Sequence, residues 1–270
     1  RFDKKNPFIS ISAILAFVGV SIGVMVLILS MAIMNGTAKE FERKLFTMNY
    51  PLTIYPKMDN SLNEELLNKL QKEYPDLKFS PFISSQAIIQ SGEAMSGGMI
   101  FGVVPEKEAL INPIYKDALG NLQMDKYDII TGSGISDKLL LNGGSKATLY
   151  FTELNPTGFS MMPKMKRFTY VNSFNSGLNA YDKSYMYTSL EALQILLKKE
   201  PGYYDGIHIH SNDAFADMEK LKESLRGTNS GVVGWWQQNG NFFAAMKMEK
   251  TALFIVLMLI ILVASLNIIS

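Results

Sequence analysis

The chain has 270 residues, 47% of them hydrophobic, with 26 basic and 25 acidic side chains, a net charge of +1 and no cysteine. The near-zero charge gives no electrostatic case for nucleic acid as a partner, and the lack of cysteine is compatible with an oxidising compartment without requiring one. A mean hydropathy of +0.08 is high for an ordinary soluble domain, and the excess is concentrated at the two ends.

Residues 1–7 carry Arg1, Lys4 and Lys5 and read as a cytoplasmic N-terminus ahead of an uncharged run from Phe8 to Met34. A bilayer core about 30 Å thick needs about 20 apolar residues at 1.5 Å rise, so residues 8–34 are long enough for a transmembrane helix. The run outlasts the apolar core of a signal peptide, roughly 7–15 residues, and leads into Asn35 and Gly36 without a small-residue cleavage site. The short basic flank orients the following segment away from the cytoplasm. Residues 35–50, with Phe41, Leu45 and Met48 at helical spacing among charges, read as a stalk continuing the first span.

The middle segment, 51–234, alternates strand and helix signals and is expected to be an α+β domain. Leu52 to Tyr55 reads as a strand. Ser61 to Glu73 reads as a helix with Ser61 as its cap and Glu64 closing a capping box, stopped by Pro75. Lys78 to Gln90 and Met99 to Val104 read as strands, followed by a short helix over Ile135 to Leu141 and strands over Lys146 to Phe151, Arg167 to Phe174 and Tyr185 to Thr188. Leu190 to Lys199 reads as a helix, Gly206 to His210 as a strand, and Asn212 to Leu225 as a helix capped by Asn212 or Asp213. Residues 235–250 form a second expected stalk, on which Phe242, Phe243 and Met246 recur at helical spacing, and 251–270 a second uncharged span. Both ends of the chain look like truncation points.

Three patterns invite a chemical reading. His208 and His210 lie two apart on an expected strand and point to one face, yet no third ligand has metal-site spacing, so no metal is expected. Gly132-Ser133-Gly134 and Gly143-Gly144-Ser145-Lys146 lack the spacing of a phosphate loop and read as turns or helix starts. No nucleophile, base and orienting group assemble from spacing, so the chain is expected not to be an enzyme. The segment Asn155-Pro156-Thr157-Gly158-Phe159-Ser160-Met161-Met162-Pro163 is unusual because prolines and a glycine enclose large apolar residues between two strands. It reads either as a loop folded back over the core or as a projecting hairpin whose apolar tip docks on a partner.

Three stretches together carry a family resemblance. They are Asn6-Pro7-Phe8 opening a span that closes on Met34-Asn35-Gly36, Phe159 to Pro163 running into Met165-Lys166-Arg167-Phe168, and Asn241-Phe242-Phe243-Ala244-Ala245-Met246-Lys247-Met248-Glu249-Lys250 before the second span. In these the chain resembles the LolC/LolE-type permeases of lipoprotein-releasing ABC transporters, end to end. The resemblance implies a MacB-like architecture in the bacterial inner membrane, multi-pass, with its large domain in the periplasm. The chain would be the N-terminal part of a four-span permease.

It also implies partners: a second permease copy or paralogue, a cytoplasmic LolD-like ATPase that alone binds ATP and Mg, a LolA-like periplasmic carrier, acylated lipoprotein substrates and membrane lipids. The carrier-binding hook would be residues 155–164, with Pro156, Phe159, Met161, Met162 and Pro163 as contacts. Each acyl CH₂ moved into water costs about 0.8 kcal/mol, so extraction of a multi-acylated protein must be driven. Phe41, Leu45, Phe242, Phe243 and Met246 are candidates for lining a lipid path, with packing inside the stalks as the alternative. A MacB-like efflux permease, an FtsX-like mechanotransmitting permease and a two-span sensor are the competing readings.

Overall fold

The computed structural model describes residues 7–58, 62–151 and 164–269; within its long helices the side chains of 7–13, 15, 16, 37–47, 242, 243, 261 and 263–269 are not described. In chain order the elements are α1 (Pro7–Met48), β1 (Leu52–Pro56), β2 (Leu62–Asn63), α2 (Glu64–Glu73), β3 (Lys78–Ser91), β4 (Ala94–Val103), α3 (Pro105–Ala109), α4 (Pro113–Leu119), β5 (Asp128–Gly132), α5 (Ser133–Leu139) and β6 (Lys146–Phe151). They continue with β7 (Lys164–Phe174), α6 (Asn179–Asp182), β8 (Tyr185–Ser189), α7 (Leu190–Leu197), β9 (Tyr203–Tyr204), β10 (Gly206–His210), α8 (Ala214–Ser224), β11 (Ser230–Gly234), α9 (Trp235–Gln238) and α10 (Gly240–Ile269). Two compact units result, one of residues 1–43 with 239–270 and one of residues 44–238.

In the first unit, one helical segment among the described residues, Phe17–Gly36 with mean hydropathy 2.5, is long and apolar enough to cross a membrane. Its described side chains are largely exposed, Phe17 and Met25 among them, as an apolar surface facing lipid would be. Residues 251–270, expected as a second span, fall on α10 as far as Ile269.

The second unit is the α+β domain, and its organising strand is β3. Over Lys78 to Phe82 this strand pairs with β10, whose other neighbour β1 pairs with the edge strand β11. Beyond that point β3 pairs with β4 on one side and, over Ala87 to Gln90, with β6 on the other. The chain of pairings β3–β4–β8–β5–β7–β6 then returns to β3, so these strands close into a barrel. Closure removes the free edges that an open sheet would expose.

The alternation of each strand fills the barrel. Ile83, Ala87 and Ile89 of β3 meet Ile100, Ile129, Leu149, Phe168 and Met186 from the facing strands in one cluster, with Leu193 and Leu197 of α7 packed on it. A second core covers one face of the open part, where Leu52, Ile54, Phe79, Ile207 and Ile209 meet Leu67 and Leu70 of α2 and Met218 and Leu221 of α8. On the other face, α3, α4 and the last residue of α1 cover a third core of Met48, Phe82, Val103, Tyr115, Ile130 and Tyr187.

Several boundaries differ from the sequence expectation. Helix α2 starts at Glu64 with Asn63 as its cap, the Asn63 side chain accepting from Leu66 N at 2.9 Å. Ser61, expected as the cap, lies outside the described residues, and the Glu64 carboxylate accepts from the Tyr204 hydroxyl. Strand β4 begins at Ala94 because the β3 ladder carries it past Gly97 and Gly98, residues whose weak strand propensity hid it. Strands β5 and β11 and helices α3 and α4 went unread. The first two are short, and α3 and α4 are helices of five and seven residues opened by Pro105 and Pro113 whose capping is only recognisable once their apolar side is known.

Candidate functional site

Segment 152–163 lies outside the described residues, and with it Pro156, Phe159, Met161, Met162 and Pro163 of the expected hook. Its two ends are defined by a ladder rung, since Phe151 of β6 pairs with Lys164 of β7. Met165 on the next rung is 67% exposed. Of the expected lipid-path residues, Phe41 and Leu45 fall in α1 and Phe242, Phe243 and Met246 in α10. Met246 is half-buried; the other four side chains lie outside the described ones.

Of the glycine motifs, Gly132-Ser133-Gly134 is the passage from the end of β5 into the start of α5, and Gly143-Gly144 is a turn. A Cβ on Gly132 would collide with the Asp182 carbonyl, and one on Gly134 would reach Lys183 Cγ at 2.6 Å, so this run is glycine-rich to let α6 lie against β5 and α5. Gly144 has φ +86°, and its N–H donates to Tyr170 O at 2.8 Å. No group of three or more metal-ligating side chains occurs among the described residues. His210 is half-buried, its pKa lowered by burial and by the charge of Lys78 on the paired strand. A groove of about 390 Å³ beside Gln86, Ile88, Gly97, Gly98, Met99 and Ser184 presents no titratable side chain.

What the fold does assemble lies where the chain passes from α1 into the sheet. Met48 is buried in the third core, Asn49 Nδ2 donates to the Tyr181 hydroxyl at 2.8 Å, and the buried Tyr50 hydroxyl donates to Glu108 Oε1. Glu108 has 0% of its surface exposed. Its Oε2 accepts from Ser80 Oγ at 2.7 Å. Asn112 Nδ2 stands 3.0 Å from the Tyr50 hydroxyl oxygen, 3.4 Å from Glu108 Oε1 and 3.4 Å from the Tyr187 hydroxyl. The orientation of that amide follows from its other end, because Asn112 Oδ1 caps α4 by accepting from Tyr115 N at 3.0 Å.

His208 lies beside this carboxylate, sandwiched between Tyr50 (centroids 3.5 Å apart) and Phe82 (4.0 Å). It faces this side because β10 alternates: Ile207 and Ile209 point into the second core, while His208 shares a face with its paired neighbours Thr53 and Ser80. Its Nδ1 is 3.8 Å from Glu108 Oε2, beyond hydrogen-bond reach, and is a buried atom with no hydrogen-bond partner among the described residues. Burial lowers the His208 pKa against the opposing pull of Glu108. For Glu108, burial pushes the pKa up, but His208, Tyr50 and Ser80 together outweigh it and hold the carboxyl below its usual range. Burial, helped by the Glu108 charge, raises the Tyr50 phenol well above its ordinary value. At neutral pH the cluster is therefore an ionised carboxylate fed by neutral donors, with a neutral imidazole stacked against it.

The departing chain is anchored alongside. Leu52 at the start of β1 pairs with Gly234 at the end of β11, and Trp235 N donates to Pro51 O at 3.3 Å. Gly234 N donates to Gln237 Oε1 at 3.1 Å, and Phe215 of α8 stacks on Trp236 at 4.1 Å. The domain is thus entered and left on adjacent, hydrogen-bonded strands. At this junction the buried Glu108 carboxylate is enclosed by donors and rings.

Sequence reasoning missed Tyr50, Ser80, Glu108, Asn112 and Tyr187 as a group. Glu108 sits in Pro105-Glu106-Lys107-Glu108-Ala109, which reads as a solvated turn. The one available signal was Asn112 before Pro113, a helix start that places Glu108 four residues upstream.

Comparison with known proteins agrees along the whole chain. It is 27% identical over 276 residues to the lipoprotein-releasing system transmembrane protein LolC of Xylella fastidiosa strain Temecula1, covering 100% of this chain and 66% of that protein. It is 28% identical over 282 residues to LolC of Neisseria meningitidis serogroup B and 24% identical over 285 residues to the lipoprotein-releasing system transmembrane protein LolE of Haemophilus influenzae, each alignment covering 100% of this chain and 67% of the relative. The chain thus spans about two thirds of the length of the curated relatives it matches. Residues 13–228 match the MacB-like periplasmic core domain, and the chain belongs to that family.

Proposed function

We propose that this chain is a permease subunit of a lipoprotein-releasing ABC transporter of the bacterial inner membrane. In this reading α1 and α10 both cross the bilayer, residues 35–50 and 235–250 are their stalks, and the α+β domain stands in the periplasm. The observation that carries the reading is similarity to LolC and LolE proteins over the entire chain, through both long helices as well as the domain. ATP binding and hydrolysis belong to a separate cytoplasmic subunit, and a second permease, the same or a paralogue, completes the membrane part. The segment 155–164 is the hook that engages a periplasmic lipoprotein carrier, and Phe41, Leu45, Phe242, Phe243 and Met246 border the path of the acyl chains.

The physical need is clear. At about 0.8 kcal/mol for each buried CH₂, a multi-acylated protein does not leave a membrane at a useful rate unaided. Two helices joined to adjacent strands of one domain are suited to passing force from the membrane to the periplasm. Reconstitution of the full-length permease with its ATPase in proteoliposomes, loaded with an acylated lipoprotein and supplied with soluble carrier, tests the reading. ATP-dependent transfer of the lipoprotein to the soluble carrier is expected. ATP hydrolysis accompanied by export of small amphiphiles and no lipoprotein transfer would instead identify an efflux permease.

A further inference from the structure

The buried carboxylate of Glu108, which accepts from Tyr50 and Ser80, is not explained by folding economy. A carboxylate with no exposed surface is expensive to bury, and apolar residues of similar volume commonly serve stability as well or better. Glu108 is placed where six segments of the chain converge: Tyr50 just after α1, Ser80 and Phe82 on β3, Glu108 itself on α3, Asn112 capping α4, Tyr187 on β8 and His208 on β10. Tyr50 is the member that follows α1 directly, and it is held twice, through its hydroxyl and through the stacked imidazole.

We propose that Tyr50, Ser80 and Glu108, with His208 stacked beside them, form a latch that makes the end of α1 and the domain one mechanical piece, so that displacement of α1 is delivered to the β-barrel and not lost in the joint. The delivery runs through β3, which carries Ser80 at one end and forms a wall of the barrel at the other. Withdrawal of Tyr50 would leave a buried carboxylate short of one donor. Hydrogen bonds to charged groups are the stronger class, so the unlatched state is disfavoured by more than about tenfold. A neutral acceptor of the same shape would hold Tyr50 in place less tightly, and a residue without an acceptor would not hold it at all.

The part of this proposal that concerns force transfer rests on the permease reading; the latch itself does not. The test uses the full-length permease assembled with its ATPase in nanodiscs, with cysteines introduced for spin labels at Lys44 and Lys116; the 270 residues have none of their own, and any cysteine elsewhere in the full-length permease is replaced by serine. The native sequence is expected to give one narrow label distance, Glu108→Gln to keep it, and Tyr50→Phe to broaden it. Lipoprotein released per ATP hydrolysed is expected to fall about tenfold in Tyr50→Phe and to stay within about twofold of native in Glu108→Gln. Ser80→Ala, a smaller change on the opposite oxygen, gives an intermediate loss and serves if a harsher variant fails to assemble. An unbroadened distance in Tyr50→Phe overturns the latch, and a broadened distance with unchanged release per ATP overturns its role in coupling. Absence of lipoprotein release from the native complex, together with broadening in Tyr50→Phe, overturns the permease reading while supporting the latch.

Discussion

The Tyr50 ring lies face to face with the His208 imidazole, centroids 3.5 Å apart and planes 11° apart, while the Tyr50 hydroxyl reaches past it to Glu108. One side chain thus closes over a histidine and satisfies a buried carboxylate at the point where the chain leaves its first long helix.

Replacing Glu108 by Ala should destabilise the domain much more than replacing it by Gln. Alanine leaves the Tyr50 and Ser80 donors without an acceptor and opens a cavity, a loss of about 3 kcal/mol or more, whereas glutamine keeps an acceptor oxygen and should cost about 1 kcal/mol. Thermal unfolding of both variants in detergent, followed by near-ultraviolet circular dichroism of the surrounding tyrosines, measures the difference. Equal losses would contradict the hydrogen-bonded role of Glu108.

Stability should fall as the medium is acidified, in two windows. The folded His208 pKa lies below its unfolded value, so the unfolded chain binds the proton more tightly and stability is lost as pH drops below about 6.5. Glu108 is also depressed, so its contribution is present above about pH 4.3 and is lost as pH falls through its folded value. His208→Phe retains the ring stack with Tyr50 and Phe82 and should flatten the upper window; it should also weaken the lower one, because His208 is among the groups that hold Glu108 down. Melting temperatures between pH 4 and 8 report both, and an unchanged upper slope in His208→Phe would assign it to another group.

Gly132→Ala should lower stability by about 1–3 kcal/mol, because the added methyl meets the Asp182 backbone carbonyl and not a flexible side chain. Gly143→Ala, where nothing stands within 4 Å of the added carbon, is the control and should be nearly neutral. Comparable losses at the two sites would mean that the α6 approach is not what requires glycine at 132.

Membrane orientation is open to direct labelling because the chain lacks cysteine. A cysteine at Lys222, half-exposed on α8, should react with a membrane-impermeant thiol reagent in intact spheroplasts if the domain is periplasmic. Protection until lysis would place the domain in the cytoplasm.

The hook reading predicts a split between affinity and stability. Replacing Met161 and Met162 by Ser should leave the melting temperature nearly unchanged and weaken carrier binding about thirtyfold, as loss of roughly 2 kcal/mol at an interface would. A lowered melting temperature with native affinity would instead make the segment a cap on the barrel core.

Local pattern carried far in this chain. Uncharged ends, the alternation in Lys78 to Gln90 and the capped helices at Leu190 and Ala214 are written in consecutive residues, and burial of one face follows from them wherever the partner lies. The α+β class, most strands and the resemblance to the lipoprotein-releasing permeases were therefore readable by inspection. Barrel closure was not, because it depends on β3 pairing with β6 some sixty residues away, and alternation shows which face is buried but not which neighbour buries it. The Tyr50, Glu108 and His208 cluster was hidden for the same reason. A glutamate in a charged turn looks solvated until tertiary packing removes the water, and only that packing supplied the donors that keep it ionised.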